Sequence, residues 1–253
     1  MREKLIEEKK KKIRKYMYFF ILLLVCCLII FAKIVVPRWF KNLSIFSLKN
    51  VVIEPSDYAS FLKEYLSLPE GVSLFKIDMA EIYSQLKQVY FVEDCKIEKH
   101  LPDTLVIKLK IRTPWVIITD DGSHAIIDRN GYFLAPIENF IGWNIEGIKV
   151  QPVGTMTDEK EKIEVLKEIE QWYNYYGIGN SFKVDKISLK DLDKIQLMSG
   201  DTSIYIHKEG IDKQLETAKK VLDICDKNNF SFEYIDVRFK EPYIKEKQLK
   251  KDE

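Results

Sequence analysis

The stretch YMYFFILLLVCCLIIFAKIVV, from Tyr16 to Val36, limits what the rest of this chain can be. It holds a single charge, Lys33, near its far end. A helix of about 20 residues, rising roughly 1.5 Å per residue, spans the ~30 Å hydrocarbon layer of a bilayer. Lys33 is close enough to the boundary to extend its ammonium into the headgroups. Before this run lies a short charged tail, and after it more than 200 residues of mixed globular composition. The expectation is one membrane anchor carrying a large folded part on one side.

Charge indicates which side. Arg2, Lys4, Lys9, Lys10, Lys11, Lys12, Arg14 and Lys15 precede the run, against Glu3, Glu7 and Glu8, while Arg38 and Lys41 follow it. The positive-inside rule puts the N-terminus in the cytoplasm and the folded part outside. A cleaved signal peptide would need a shorter apolar region and a small-residue cleavage site. Instead Pro37-Arg38-Trp39-Phe40 follows, so the anchor is read as uncleaved. Pro37 helps to end the helix, and Trp39 and Phe40 suit the outer interface. The overall net charge of +1 gives no argument for nucleic acid, and the basic run Lys9–Lys15 is read as a topology signal. Cys95 and Cys225 are far apart in sequence; one disulfide and two separately buried thiols are both open.

The remainder alternates between strand and helix patterns. Ile45–Ile53 reads as a strand, and Ser56 or Asp57 can cap a helix with Tyr58, Phe61, Leu62, Tyr65 and Leu66 on one face. Pro69-Glu70-Gly71 is a loop, and Asp78 caps a second helix with Met79, Ile82, Tyr83, Leu86 and Tyr90 aligned. Two strands follow, Cys95–His100 and Leu105–Arg112. In the second, Leu105, Ile107, Leu109 and Ile111 alternate with a wet face of Val106, Lys108, Lys110 and Arg112. The order β-α-α-β-β predicts a small sheet covered by two helices, with Phe61, Leu62, Leu86, Ile107 and Leu109 in its core.

Further on, strands at Val116–Thr119 and Ala125–Asp128 flank Asp120-Asp121-Gly122, and Asn130-Gly131 predicts a two-residue hairpin. A helix over about Asp158–Tyr176 carries Leu166, Ile169, Trp172, Tyr173 and Tyr176. Strands at Val184–Leu189, Ile195–Met198 and Ser203–His207 come next. A helix with Ile211, Leu215, Ala218, Leu222 and Cys225 leads into a last strand, Tyr234–Phe239. From Glu241 the chain is charged and is expected to fray. Asp236 and Arg238, two apart on one strand face, are candidates to pair within the sheet.

This arrangement resembles the bacterial cell-division family FtsQ, called DivIB in Gram-positive species. The first module is similar to a POTRA (polypeptide-transport-associated) domain. Phe46-x-x-x-x-Val51, Leu74-Phe75-x-Ile77-Asp78, Leu101-Pro102-x-Thr104-Leu105 and Arg112-Thr113-Pro114 carry the likeness. So do Ile127-Asp128-x-x-Gly131 and Tyr234-Ile235-Asp236-Val237-Arg238. Ile111 stands where the family often has Glu, and Glu54-Pro55 replaces a glycine often found there. The resemblance implies an α+β chain: cytoplasmic basic tail 1–15, transmembrane helix 16–36, linker 37–44 and a POTRA-like domain 45–114. A mixed domain 115–243, dominated by an antiparallel sheet with two helices, and a charged flexible tail 244–253 complete it.

The resemblance also implies a non-enzymatic scaffold at the division site of the bacterial plasma membrane. Its partners would be FtsB/DivIC-like and FtsL-like single-pass proteins, and other septal proteins could reach it through the POTRA-like domain. Arg112, Pro114, Asp128, Gly131, Asp236 and Arg238 are its motif residues. Tyr234, Ile235, Phe239, Lys240 and Tyr243 are the expected partner-binding residues, because nothing after the strand Tyr234–Phe239 would cover its edge, and Pro242 limits the ladder. A POTRA-bearing transport factor is a rival, although the alternating segments of a membrane barrel are absent. A tethered extracytoplasmic enzyme is the other rival. His100, His124 and His207 lie in different elements without ligand spacing, and no catalytic or phosphate-binding motif occurs, so no catalytic residue, metal or cofactor is expected.

Overall fold

The computed structural model describes residues 14–31, 33, 44–66, 68 and 71–247. The basic tail before residue 14, the segment with Pro37, Trp39 and Phe40, Pro69-Glu70 and the residues after 247 lie outside the described set. Helix α1, Arg14–Phe31, has mean hydropathy 2.1 and none of its length buried within the protein. An apolar helix of this length, uncovered by the rest of the protein, is suited to the hydrocarbon of a bilayer. The rest of the chain falls into two compact units, one containing Asp94–Lys110 and the described residues up to Gln88, the other Val89–Glu93 and the described residues from Ile111 onward.

In the first unit, β1 (Asn50–Glu54), β2 (Val92–His100) and β3 (Thr104–Ile111) form a sheet in the order β1-β3-β2. β1 and β3 run parallel, with Asn50 opposite Thr104 and Glu54 opposite Lys108. Parallel neighbours need a long crossover, and α2 (Ala59–Leu66), α3 (Met79–Lys87) and β2 lie along it. Asp78 caps α3 as the sequence predicts, its Oδ1 accepting from the amides of Ala80 at 2.8 Å and Glu81 at 3.3 Å. Leu62, Leu66, Ile82, Leu86, Leu105 and Ile107 are buried.

Several expectations for this unit change: Ser56 and Asp57 lie in a 3-10 turn without a side-chain cap bond, the second helix ends at Lys87 before Tyr90, and the second strand begins at Val92. The first strand begins at Asn50, because Ser44–Phe46 is a 3-10 turn. Phe61 is not in the core: it is 52% exposed and stacks on Tyr65 at 6.0 Å. One residue is about 100° of helix, so when Leu62 and Leu66 face inward, Phe61 and Tyr65 fall at the margin. Val106 is buried and Leu109 only half-buried. β3 is the central strand, covered on both faces at its start, and the wet lysine face begins only at Lys108. Arg112 leaves that face altogether, its side chain only 7% exposed.

The second unit holds a nine-stranded sheet in the order β12-β11-β10-β9-β8-β7-β4-β5-β6. Its strands are β4 (Pro114–Asp120), β5 (Ser123–Asp128), β6 (Phe133–Leu134), β7 (Asn144–Glu146), β8 (Lys186–Ser188), β9 (Ile195–Ser199), β10 (Thr202–Ile206), β11 (Phe232–Asp236) and β12 (Tyr243–Glu246). Five neighbouring pairs are antiparallel; β4–β7, β7–β8 and β10–β11 are parallel. Helices α4 (Lys160–Tyr175) and α5 (Ile211–Lys227) are the crossovers into β8 and β11.

Strand alternation explains where the helices lie. Val116, Ile118, Ile145, Ile187, Leu197, Ile204 and Ile235 are buried in one cluster with Leu166 and Ile169 of α4 and Leu215, Ala218 and Leu222 of α5. Each such Ile or Leu contributes about 1.5–3 kcal/mol on burial. Tyr173 of α4 fastens the layer: its hydroxyl donates to the carbonyl of Phe182 at 2.8 Å and accepts from the amide of Val184 at 3.2 Å. Cys225 is buried on α5, Cys95 half-buried on β2, and both are free thiols.

Ile107 has no exposed surface. Ile107→Asp would place an unpaired carboxylate in the centre of the first sheet and should cost several kcal/mol. A chemical-denaturation midpoint for the first unit's transition equal to wild type would show that this face is not its core.

Candidate interaction edge of the second unit

The chain does not stop at β11. Lys240 to Pro242 turn it back, and β12 pairs antiparallel with β11, setting Asp236 opposite Tyr243, Ile235 opposite Ile244 and Tyr234 opposite Lys245. The premise that nothing later covers the strand Tyr234–Phe239 is therefore overturned. The strand proper is Phe232–Asp236, held between β10 and β12, and β12 is the outermost described strand at this end of the sheet. The tail expected from residue 244 is ordered strand as far as Glu246. A weak signal was present: Ile244, apolar between Tyr243 and Lys245, packs beside the core of this unit. Pro242 reads as a stop, but it stands at the bend before the strand and not inside the ladder.

This places the five expected partner-binding residues in two groups. Ile235 is fully buried beneath the sheet and contributes no surface. Tyr234 sits on the opposite face, its ring 5.4 Å from Tyr205 of β10 and 5.9 Å from Tyr243 of β12. The three rings make a ladder across three strands. Tyr243 packs on its own domain and is still 56% exposed; Phe239 is 63% exposed and Lys240 exposed. β12 has β11 on one side, and among the described residues no strand on the other. Its outward backbone donors and acceptors can therefore take a further strand.

Cations line this ladder. Arg238 lies just past β11, and its Nε and Nη2 donate to Asp236 Oδ1 and Oδ2 at 2.9 and 2.7 Å, a two-pronged pair that fixes the guanidinium plane. Asp236 and Arg238 thus pair with one another. Burial pushes the Asp236 carboxyl up, and the guanidinium and amide of Arg238 outweigh it, holding the group below its ordinary range. The Arg238 guanidinium lies 5.3 Å from the Phe239 ring and 5.9 Å from Tyr205; Lys194 lies 4.9 Å from Tyr205 and Lys245 5.6 Å from Tyr234.

At the opposite end of the sheet Arg112, Pro114, Asp128 and Gly131 come together. Pro114 opens β4 opposite Asp128. Arg112 Nη1 donates to Asp128 Oδ2 at 2.7 Å, and the guanidinium lies 3.6 Å from the Tyr132 ring centre. Both side chains are more than nine-tenths buried. Asp128 Oδ1 accepts from the amides of Asn130 and Tyr132 at 2.8 and 2.9 Å. The hairpin is not the two-residue type: Gly131 alone has positive φ, +81°, and its amide donates to the carbonyl of Asp128 at 3.0 Å. A type I turn followed by a left-handed glycine gives a three-residue loop. A Cβ at Gly131 would also lie 2.7 Å from Thr157 Cγ2.

The lysine face of β3 is not a free basic patch. Lys108 lies 3.4 Å from Glu98, which also meets Lys96 at 2.6 Å and His100 at 3.3 Å. Lys96 first, then His100 and Lys108, hold the Glu98 carboxyl down to about 2. Among the described residues no group of three or more His, Cys, Asp and Glu is placed to hold a metal ion.

Removing one member of the Arg112–Asp128 pair leaves a buried charge uncompensated, at a cost of about 3–5 kcal/mol. Asp128→Ala should therefore lower the denaturation midpoint of the second unit strongly, and Arg129→Ala at the exposed neighbouring position only slightly. Equal midpoints would show that the pair is dispensable.

Two family models match this chain. Residues 59–110 match the POTRA domain, FtsQ-type, and residues 116–238 match the C-terminal domain of cell division protein FtsQ/DivIB. The chain is 26% identical to cell division protein DivIB of Clostridium tetani over 224 residues, 83% of each chain. It is 26% identical to cell division protein FtsQ of Rickettsia conorii over 213 residues, 80% of this chain and 73% of that one. A 90-residue stretch, 34% of this chain and 33% of the relative, is 33% identical to FtsQ of Rickettsia bellii. With its apolar N-terminal helix and its two matched domains in order, the chain is a single-pass membrane protein and belongs to the FtsQ/DivIB cell-division family.

Proposed function

We propose that this protein is a non-enzymatic scaffold of the division machinery, which captures FtsB/DivIC-like and FtsL-like single-pass proteins and so regulates septal wall synthesis. The observation that carries this reading is the outer side of β12, which pairs with no strand among the described residues, next to the ring ladder Tyr205–Tyr234–Tyr243. A partner strand adding to β12 would satisfy its outward amides and carbonyls, and the exposed Tyr243 and Phe239 rings would anchor its side chains. Lys194, by the Tyr205 ring, makes an acidic residue in that strand favourable, whereas Arg238 and Lys245 are already paired with Asp236 and Glu233. Compared with the sequence expectation, the docking strand moves from β11 to β12, and Ile235 becomes a core residue.

The test measures binding of the exterior segment of an FtsB/DivIC-like partner to the full chain in detergent. Tyr243→Ala should weaken binding by about 1–2 kcal/mol or more, and deletion of 242–247 by more. Amide exchange in Tyr243–Glu246 should slow when the partner binds. Equal affinity for all three chains, with folding verified, would put the interface elsewhere.

The same reading has the N-terminus in the cytoplasm and both folded units outside, at the division site. The basic excess before Tyr16 supports it. A reporter that works only outside the cytoplasm, fused after Lys247, should be active. An inactive fusion beside an active cytoplasmic reporter at equal expression would reverse the orientation.

A further inference from the structure

Many aromatic rings of this protein carry one of its own cations. Lys87 lies by Tyr83, Arg112 on Tyr132, Arg129 by Trp115, Lys194 and Arg238 by Tyr205, and Lys245 by Tyr234. A three-ring cluster at the C-terminal end of α4 has no such cover among the described residues. Trp172 and Tyr176 stack at 5.9 Å with 24° between their planes, and Tyr175 stands edge-on to both at 5.4 and 5.1 Å. Tyr175 is 73% exposed, and Trp172 and Tyr176 are half-buried.

The charges around this cluster are mainly negative. Burial first, then Glu216 and Asp212 of α5, raise the Tyr176 phenol above its ordinary range, which puts both carboxylates within electrostatic reach of the ring. Lys220 is the nearby cation, and Glu216 holds it at 2.6 Å. Asp212 has no ion-pair partner among the described residues. Glu168 stands four residues before Trp172, one turn away on the same side of α4. The carbonyl end of the 16-residue α4 adds the negative pole of its dipole. Ring faces, carboxylates and helix carbonyls all favour a positive charge.

We propose that this patch docks a basic segment of a second protein, with an arginine or lysine lying on the Tyr175 and Trp172 rings and Asp212 as its counter-charge. α4 covers the inner face of the sheet, while the Tyr205–Tyr234–Tyr243 ladder is on the outer face, so this surface is separate from the β12 edge. The chain's own basic run, residues 9–15, runs into the first turn of α1 and on the proposed topology lies across the bilayer, which points to a different chain as the occupant.

The experiment uses the full chain in phosphatidylcholine nanodiscs, titrated with a hexa-arginine peptide and, in parallel, with hexa-glutamate. The arginine peptide should bind, and any binding of the glutamate peptide, for which the basic N-terminal tail is accessible in a nanodisc, should be unchanged by substitutions at Tyr175 and Asp212. Tyr175→Ala should weaken binding about two- to five-fold, as expected for one exposed ring. Asp212→Asn should weaken it to a similar degree, as for one exposed ion pair. Tyr175→Phe keeps the ring face and should bind like wild type. Melting curves establish that each variant is folded. No binding of hexa-arginine, equal affinity of Tyr175→Ala and wild type, or a loss in Tyr175→Phe as large as in Tyr175→Ala would each overturn the proposal.

Discussion

Strand register is the constraint on which the larger unit depends. Side chains alternate with a period of two, so a slip of one residue would turn Ile118, Ile145, Ile187, Leu197, Ile204 and Ile235 away from α4 and α5 together. Two devices hold the ends of this arrangement. At one end the buried carboxylate of Asp128 accepts two loop amides and the Arg112 guanidinium, so the turn into β6 has a fixed length. At the other end Asp236 and Arg238 lock together as β11 finishes. Both use a carboxylate that accepts from backbone and guanidinium at once, which sets geometry as well as contributing energy.

Much of this was legible in the residues. Helices α4 and α5 are long enough for the period of 3.6 to be unambiguous, and Ile211, Leu215, Ala218, Leu222 and Cys225 all proved buried. The cap at Asp78 was readable because it needs only local chemistry. What failed was decided at a distance. Phe61 and Leu62 are adjacent and equally apolar, and only the position of the sheet determines which one faces it. Arg112 continues a lysine alternation, yet a carboxylate sixteen residues later draws it inward. No property of Arg112 alone announces that partner.

The strand β12 was missed for a related reason. Four residues, two of them charged, make a poor strand in isolation. They form one because β11 supplies a ladder and because Ile244 reaches the core of the unit while Tyr243 and Lys245 stay on the outer face with Tyr234. A sequence reader sees a frayed end; the fold sees an edge already prepared. The same shift changes which expected interface residues can touch anything: Tyr234, Phe239, Lys240 and Tyr243 keep surface, and Ile235 has none.

The position of β12 in the chain has a consequence for timing. It follows the other eight strands of its sheet in sequence, and a ribosome delivers about 5–20 residues each second from the N-terminal side. While α5 and β11 are still emerging, the outer rim of the sheet does not yet exist. On the proposed reading the docking edge is β12, so it is absent from every nascent chain whose translation has not passed residue 246, and capture by that edge would select chains that have.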